Sequence, residues 1–250
     1  MHPLKSILAA LAALRLFAQE APKPGAPRPP MVPLAIHNPH FGIWSPTNAL
    51  NDGTTKHWTH RNQPLYGYLK VDGQAYRVMG HQPADMPVLP QTSVRVLPTR
   101  TVYTFANAEV QLTLTFTTPV LPDDLEVLSR PVSYITWEVA SADGKPHEIA
   151  VCLAAGAEMT VNSPDQEITA KASQMAGMAA AQAGSVAQPV LASAGDSHTI
   201  DWGQAYLAAP GQALSACGPV AELAKTFANT GKLPESKTVA AQPARAEAAI

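Results

Sequence analysis

Two histidine pairs are the first residues in this sequence whose type and spacing could do chemistry. His37 and His40 lie three positions apart, as do His57 and His60, and His81 follows nearby. Two imidazoles at that spacing can share a metal ion when the backbone between them is helical. A proline inside the first pair and the lack of any helical pattern indicate loops instead. We therefore expect hydrogen-bonded loop histidines, and we predict no metal site and no cofactor.

Two tryptophans in loop-like sequence could bind a ligand. Trp44 and Trp58 stand among Asn, Asp, Thr and His residues, a mixture that suits an aromatic platform with polar groups for a sugar or an amide. With His57, they form the candidate ligand-binding set. The same residues also suit a second role, in which the aromatic rings pin a long loop onto the rest of the fold. The sequence leaves both roles open.

The carboxylates do not form a recognisable catalytic pair. Asp72 and Asp143 each precede a glycine and are better explained as turn residues. Asp201, beside Trp202, is the best remaining candidate, but a sequence cannot place a partner at the separation that glycoside hydrolysis needs. Nucleophile-elbow, P-loop and dinucleotide-binding motifs are also absent from the sequence. We therefore assign no catalytic residue.

Composition excludes two classes of partner. The net charge is −2, only 14% of the 250 residues are charged, and no basic cluster is present. Nucleic acids and anionic membrane surfaces are bound through clustered positive charge, which this chain lacks. We expect neither as a partner.

The elements that must position these residues are mainly strands. Apolar residues alternate with polar ones in Val110–Phe116 and Ser133–Ala140, the period of two that a strand with one dry face shows. An Asp-Gly pair between 66–71 and 74–79 predicts a hairpin. Further strands are expected at 147–154, 158–162, 198–202 and 204–209. The pattern predicts a mainly β fold, an antiparallel β-sandwich with one short C-terminal helix.

Two alanine-containing stretches carry helical signals. Pro219–Asn229 begins with a proline and is followed by Gly231, so a helix is predicted there. Ser173–Ser185 is helical by propensity because it is rich in alanine and methionine, although it lacks an apolar stripe.

The start of the chain is typical of an exported protein. Residues 1–21 contain an apolar run of about a dozen residues after Lys5, too short to span a bilayer, and predict a signal peptide. Residues 22–33 form a proline-rich linker. We expect a secreted or periplasmic protein that does not stay in the membrane after cleavage. Cys152 and Cys217 could form a disulfide or remain buried thiols.

The rest of the chain divides into three stretches. Residues 34–80 are predicted to form a loop-rich segment with the hairpin, and residues 81–233 to form the β-sandwich with the helix at 219–229. Residues 234–250 are alanine-rich and patternless, which indicates either an unstructured tail or a truncated element.

Several segments resemble, in order, the N-terminal part of the glutaminase A-like family of secreted proteins. They include PLAIHNPHFGIWSPTNALNDGTTKHWT at 33–59, QPL at 63–65, RPVSYITWEVASADG at 130–144, NSPDQ at 162–166 and DWG at 201–203. The resemblance implies a β-sandwich region that precedes a helical barrel of six-hairpin type, where hydrolysis of an amide would take place. A helical barrel needs many helices and this sequence predicts only one short helix. No catalytic residue of the family is therefore assigned to a position in this chain.

Two functions follow. In the first, the chain is the N-terminal accessory β-sandwich of a secreted glutaminase A-like hydrolase, inactive alone, whose main partner is a C-terminal helical barrel missing from this chain. In the second, it is a free-standing module that binds a carbohydrate or cell-wall ligand through Trp44 and Trp58. A small amide or carbohydrate ligand is compatible with both.

Overall fold

The computed structural model of the chain describes residues 28–235, 238–244 and 248–249. The signal peptide expected at 1–21 and the first part of the linker expected at 22–33 lie outside these residues. The end of that linker already belongs to the fold, because the first strand begins at Val32. Among the described residues, no helix is long and apolar enough to cross a bilayer.

Strands make up most of the regular structure. They are β1 (Val32–Asn38), β2 (Phe41–Ser45), β3 (Leu65–Val71), β4 (Gln74–Met79), β5 (Gln91–Leu97), β6 (Arg100–Ala106), β7 (Val110–Thr117), β8 (Tyr134–Ser141), β9 (Ile149–Ala155), β10 (Glu167–Met175), β11 (Met178–Ser185), β12 (Ala205–Pro210), β13 (Gly218–Pro219), β14 (Val239–Pro243) and β15 (Ala248–Ala249). The helices are α1 (Leu125–Ser129), α2 (Val220–Thr230) and a 3-10 turn at Ala157–Thr160.

The strands form three larger antiparallel sheets and two two-stranded ribbons. The larger sheets have the orders β5-β6-β7-β8, β4-β3-β9 and β12-β11-β10-β14, and the ribbons are β1-β2 and β13-β15. Side chains from all three sheets and from β1-β2 share one hydrophobic core. The predicted class, a mainly β antiparallel fold with one short C-terminal helix, is confirmed: α2 is the one helix longer than seven residues among the described residues.

Strand β3 is paired on both edges, with β4 and β9, and is buried on both faces by two separate cores. Leu65 and Leu69 point into the main core. Tyr66 and Tyr68 point the other way, into a second core that helix α2 covers with Phe227 among others. The helix therefore forms an outer layer on this sheet. Since β9 comes from the stretch 81–233, the stretches 34–80 and 81–233 share a sheet and a core.

The alternation in the sequence predicted these positions well. Val110, Leu112, Leu114 and Phe116 of β7 are all buried, and the hairpin at 66–79 forms with Asp72 and Gly73 in the turn. The helix predicted at 219–229 is α2, which ends at a left-handed Gly231. These elements are strongly specified because their apolar residues follow the period of the element and their turn or end residues fit the backbone conformation there.

The helical signal at Ser173–Ser185 is wrong. The stretch belongs to the β10–β11 hairpin, whose turn residues Ala176 and Gly177 both have positive φ. Small side chains let β11 pack between β10 and β12, where Ala179, Ala181 and Ala183 are buried. Cross-strand pairing and burial outweigh the modest helical propensity of alanine.

Three further predictions differ from the structure. The strand expected at 158–162 is largely the 3-10 turn at Ala157–Thr160, and 198–202 is irregular. Residues 234–250, expected to be an unstructured or truncated tail, include β14, which pairs with β10, and β15, which pairs with β13. Residues 234–250 form strands because they pair with distant strands, and a local sequence pattern does not show such pairing.

Cys152 and Cys217 are both buried free thiols. Cys152 lies in the core under helix α2, and Cys217 lies in the main core. Burial raises the pKa of Cys152 to about 12 and that of Cys217 to about 11. Both residues act as small hydrophobic side chains.

Candidate functional site

The buried side chain of His57 connects two loops through hydrogen bonds. Its side chain is fully buried, and Nε2 lies 2.9 Å from the carbonyl oxygen of Pro39. Because a carbonyl only accepts, Nε2 carries the proton, and Nδ1 accepts from the hydroxyl of Thr59 at 2.8 Å. Burial lowers the pKa of His57, which favours this neutral form. Both ring nitrogens are occupied, so the structure gives His57 an internal role and leaves it no atom for a ligand.

Trp58 is anchored at the same point but leaves its ring accessible. Its indole Nε1 donates to the carbonyl of Pro39 at 2.8 Å, while the residue keeps 44% of its surface exposed. The ring lies 5.5 Å from that of His57. Trp58 therefore combines a fixed orientation with an open surface.

Trp44 is set differently. Its backbone pairs with Lys56, with N–H···O distances of 2.7 and 2.8 Å. The residue is half-buried, and its Nε1 is buried without a hydrogen-bond partner among the described residues. A Cβ on Gly42 would lie 3.2 Å from that nitrogen, so the glycine leaves the room that the indole uses. Trp44 thus packs into the fold with its polar edge inward.

Three of the other candidate histidines, His37, His40 and His81, also bond to the protein through their side chains. His40 Nδ1 lies 2.8 Å from the carbonyl of His198, His81 Nδ1 lies 2.9 Å from the hydroxyl of Thr54, and the hydroxyl of Ser133 is 3.3 Å from Nε2 of His37. Within the described ranges, no three His, Cys, Asp or Glu side chains are grouped to hold a metal ion.

A polar pocket of about 460 Å³ opens directly after the turn that holds Trp58. Its lining comes from two stretches of chain: His60, Arg61 and Asn62 on one side, and Glu158, Val161, Asn162, Ser163 and Pro164 on the other. Arg61 Nη1 donates to Asn162 Oδ1 at 2.6 Å and joins the two sides. This pocket, called the polar pocket below, offers a cation, an anion, two amides and a hydroxyl within one concavity.

Asp201, the carboxylate singled out from the sequence, and Asp124 both have structural partners. Asp124 accepts from the backbone N–H of Val127 and caps α1. Asp201 is buried and accepts from Gln166 Nε2 at 3.0 Å, with His198 Nε2 at 3.4 Å. These contacts hold loops in place.

Asp72 and Asp143 serve as turn residues, as predicted, and also hold His147 between them. His147 Nδ1 lies 2.6 Å from Asp72 Oδ2, and Nε2 lies 2.9 Å from Asp143 Oδ1. Hydrogen bonds to the two carboxylates raise the pKa of His147. The pKa of Asp72 is lowered, chiefly by the hydrogen bond from His147. The pKa of Asp143 is also lowered, chiefly by the hydrogen bond from the backbone N–H of Lys145.

An apolar groove of about 480 Å³ lies on another part of the surface. The end strands β8, β9 and β12, one from each larger sheet, all contribute to it, together with helix α2 and residues 212–216. Its lining includes Ile135, Trp137, Val151, Leu207 and Leu214, and Lys232 is the one charged residue among the described lining residues. Val151 and Leu214 are 46% and 59% exposed. This surface is called the edge-strand groove below.

End strands that are not covered present unpaired backbone N–H and C=O groups. Three end strands around one apolar concavity make a surface suited to contact with another polypeptide.

The sequence singled out Trp44, Trp58 and His57, and the structure leaves Trp58 exposed, Trp44 half-buried and His57 buried. It missed Arg61, Asn62 and Glu158. Asn162 and Ser163 were noticed only as part of a family-like segment, because a contact across 101 positions of sequence leaves no local pattern.

Known proteins resemble the chain along almost its whole length. A family described as a domain of unknown function, DUF5127, matches residues 99–249, and another, DUF4964, matches residues 11–90. Glutaminase A from Aspergillus oryzae (strain ATCC 42149 / RIB 40) is 30% identical over 249 residues, which covers 94% of this chain and 35% of the relative. The chain thus spans about a third of the length of the curated relative that it matches.

Proposed function

The chain belongs to the DUF5127 family and is a glutaminase A-like region, and from that premise we propose that it is the accessory β-sandwich of a secreted glutaminase A-like hydrolase. In this proposal the sandwich carries no catalytic residue of its own. In this proposal its partner is the C-terminal helical barrel that the family resemblance implies, and the edge-strand groove is the surface that packs against that barrel. The proposal includes export of the protein, which rests on the signal peptide expected at 1–21.

One observation carries the proposal. One end strand from each of the three larger sheets lines the same apolar groove, and the described lining contains only one charged residue. A surface with this composition favours a large protein partner over a small polar molecule. The length of the relative supports an intramolecular partner, because 35% of it is matched and the rest is available to cover such a surface.

The chemistry of the described residues agrees with an accessory role. His57 is buried with both nitrogens bonded, Asp201 is buried against Gln166, and both thiols are buried with raised pKa values. A nucleophile needs an accessible atom and a neighbouring base, and these groups do not offer that combination.

A domain exchange tests the proposal. The region of the Aspergillus glutaminase A that matches this chain would be replaced by this chain, and ammonia release from glutamine would be measured. We expect no hydrolysis by the chain alone and hydrolysis by the chimera. Leu214→Lys, which places a charge in the groove, should lower the activity or the yield of folded chimera, whereas Val190→Lys, at a site 60% exposed and away from the groove lining, should not.

Hydrolysis of glutamine by the chain alone would overturn the accessory role. Equal behaviour of the Leu214→Lys and Val190→Lys chimeras would overturn the assignment of the groove.

A further inference from the structure

The walls of the polar pocket are held in a fixed arrangement. Asn162 Oδ1 accepts both from Arg61 Nη1 at 2.6 Å and from the backbone N–H of Thr199 at 3.0 Å. The backbone N–H groups of Asn162 and Ser163 both donate to Gln166 Oε1, at 2.7 and 2.8 Å. These bonds set the positions of the polar groups before any ligand arrives, which reduces the entropy cost of binding.

His60, in the wall of the polar pocket, has a backbone conformation that histidine rarely adopts. Its φ is 69°, in the left-handed region, and its N–H donates to the carbonyl of His57 at 2.9 Å. A non-glycine residue held in this region costs on the order of 1 kcal/mol, and such residues cluster at ligand sites. The turn from His57 to His60 also carries Trp58, two residues before His60, the first lining residue of the pocket.

Trp58, in the same turn as His60, supplies an exposed apolar surface. Its ring is 44% exposed, and the bond from Nε1 to the Pro39 carbonyl restricts its rotation. A saccharide has the matching pair of features: C–H groups that pack on an aromatic face and hydroxyls that bond to amide, guanidinium and carboxylate groups.

From this arrangement we propose that the polar pocket and Trp58 form a binding site for a neutral saccharide. Trp58 stacks against one sugar ring, and Arg61, Asn62 and Asn162 bond to the hydroxyls of the ring that enters the pocket. A neutral ligand fits because the lining carries both a guanidinium, Arg61, and a carboxylate, Glu158, so a net anion or cation would meet a like charge. The site goes beyond the accessory role and does not require that a second domain bind the groove.

The test is a titration of the purified exported chain with soluble oligosaccharides of glucose, xylose and N-acetylglucosamine, and with glutamine. Binding would be measured by calorimetry and tryptophan fluorescence. We expect at least one saccharide series to bind, with affinity that rises from the monomer to longer oligomers because stacking and pocket contacts involve different rings. Trp58→Ala and Asn62→Ala should each weaken binding at least about tenfold, and Trp58→Phe should retain part of it.

Tyr206→Ala is the matched control, because Tyr206 is an aromatic residue with 50% exposure that lies outside the lining of the polar pocket. It should bind as the parent does. The proposal is overturned if no saccharide binds, if glutamine binds and the saccharides do not, or if Tyr206→Ala weakens binding as much as Trp58→Ala. Thermal melts of each variant separate a lost contact from lost folding, and Asn62→Ala keeps the test valid if Trp58→Ala does not fold.

Discussion

His147 Nδ1 lies 2.6 Å from Asp72 Oδ2, across 75 positions of sequence. The contact joins the β3–β4 turn to the segment that leads into β9, and Asp143 holds the other nitrogen of the same ring. Asp72 also accepts from the backbone N–H of Glu148 at 2.8 Å, so the imidazole and the backbone hold one carboxylate together.

This cluster predicts a pH-dependent part of the stability. The raised pKa of His147 adds stability below its ordinary value of 6.5, which is lost as pH rises through the folded pKa. The lowered pKa values of Asp72 and Asp143 add stability above their ordinary value of 3.8, which is lost as pH falls through the folded values. The cluster therefore contributes most to the stability between pH 3.8 and pH 6.5, the ordinary pKa values of the aspartates and of the histidine.

His147→Gln removes the titrating group and keeps some hydrogen bonding. We expect the difference in melting temperature between parent and variant to be larger at pH 5.5 than at pH 8.5. Thermal melts followed by circular dichroism measure it, with His60→Gln as a control outside the cluster. An equal difference at both pH values would show that the imidazolium contributes nothing.

The turn aspartates were predictable from sequence, but their histidine was not. An Asp-Gly pair between alternating strands specifies a tight turn locally, and Asp72-Gly73 closes the β3–β4 hairpin. Asp143-Gly144 lies in the bend after β8, where Asp143 Oδ1 accepts from the Lys145 N–H. Which side chain comes to lie between Asp72 and Asp143 depends on β9 pairing with β3. That pairing is set by the burial of whole strands, which single-residue patterns do not encode.

The two thiols should be inert in the folded protein. Cys152 and Cys217 are buried, and burial raises both pKa values, so little thiolate is present near neutral pH. We expect a chromogenic disulfide reagent to react with neither thiol in native buffer and with both in guanidinium chloride. Rapid native labelling of one equivalent would contradict this burial.

Helix α2 should depend on one aromatic residue. Phe227 is 2% exposed, and its ring lies 6.3 Å from that of Tyr68 on β3. Phe227→Ala leaves a cavity under the helix and should cost about 3–5 kcal/mol of unfolding free energy. Lys225→Ala, on the exposed side of the same helix, should change it by less than about 0.5 kcal/mol. Urea unfolding measures both, and similar effects of the two substitutions would show that the helix is not held by this contact.

The helix was predictable and the β10–β11 hairpin was not, for a related reason. Pro219 and Gly231 mark the ends of α2 in the sequence itself. The alanines of 179–183 are helix formers that become a strand only because β10 and β12 lie on either side. In the candidate site, the exposure of Trp58 fits its loop-like sequence, whereas the burial of His57 depends on the distant Pro39 carbonyl.

Size-exclusion chromatography with light scattering on residues 22–250 tests most directly whether the edge-strand groove is an interaction surface. Val151 lies on the end strand β9 with 46% exposure. With no neighbouring domain added, we predict oligomers larger than a dimer or aggregation, because three end strands and an apolar groove are open and the net charge of −2 opposes association weakly. Val151→Lys should shift the chain toward monomer, and Val190→Lys should not. A parent chain that is a stable, cooperatively melting monomer would contradict the proposal that the edge-strand groove is a surface for a partner domain.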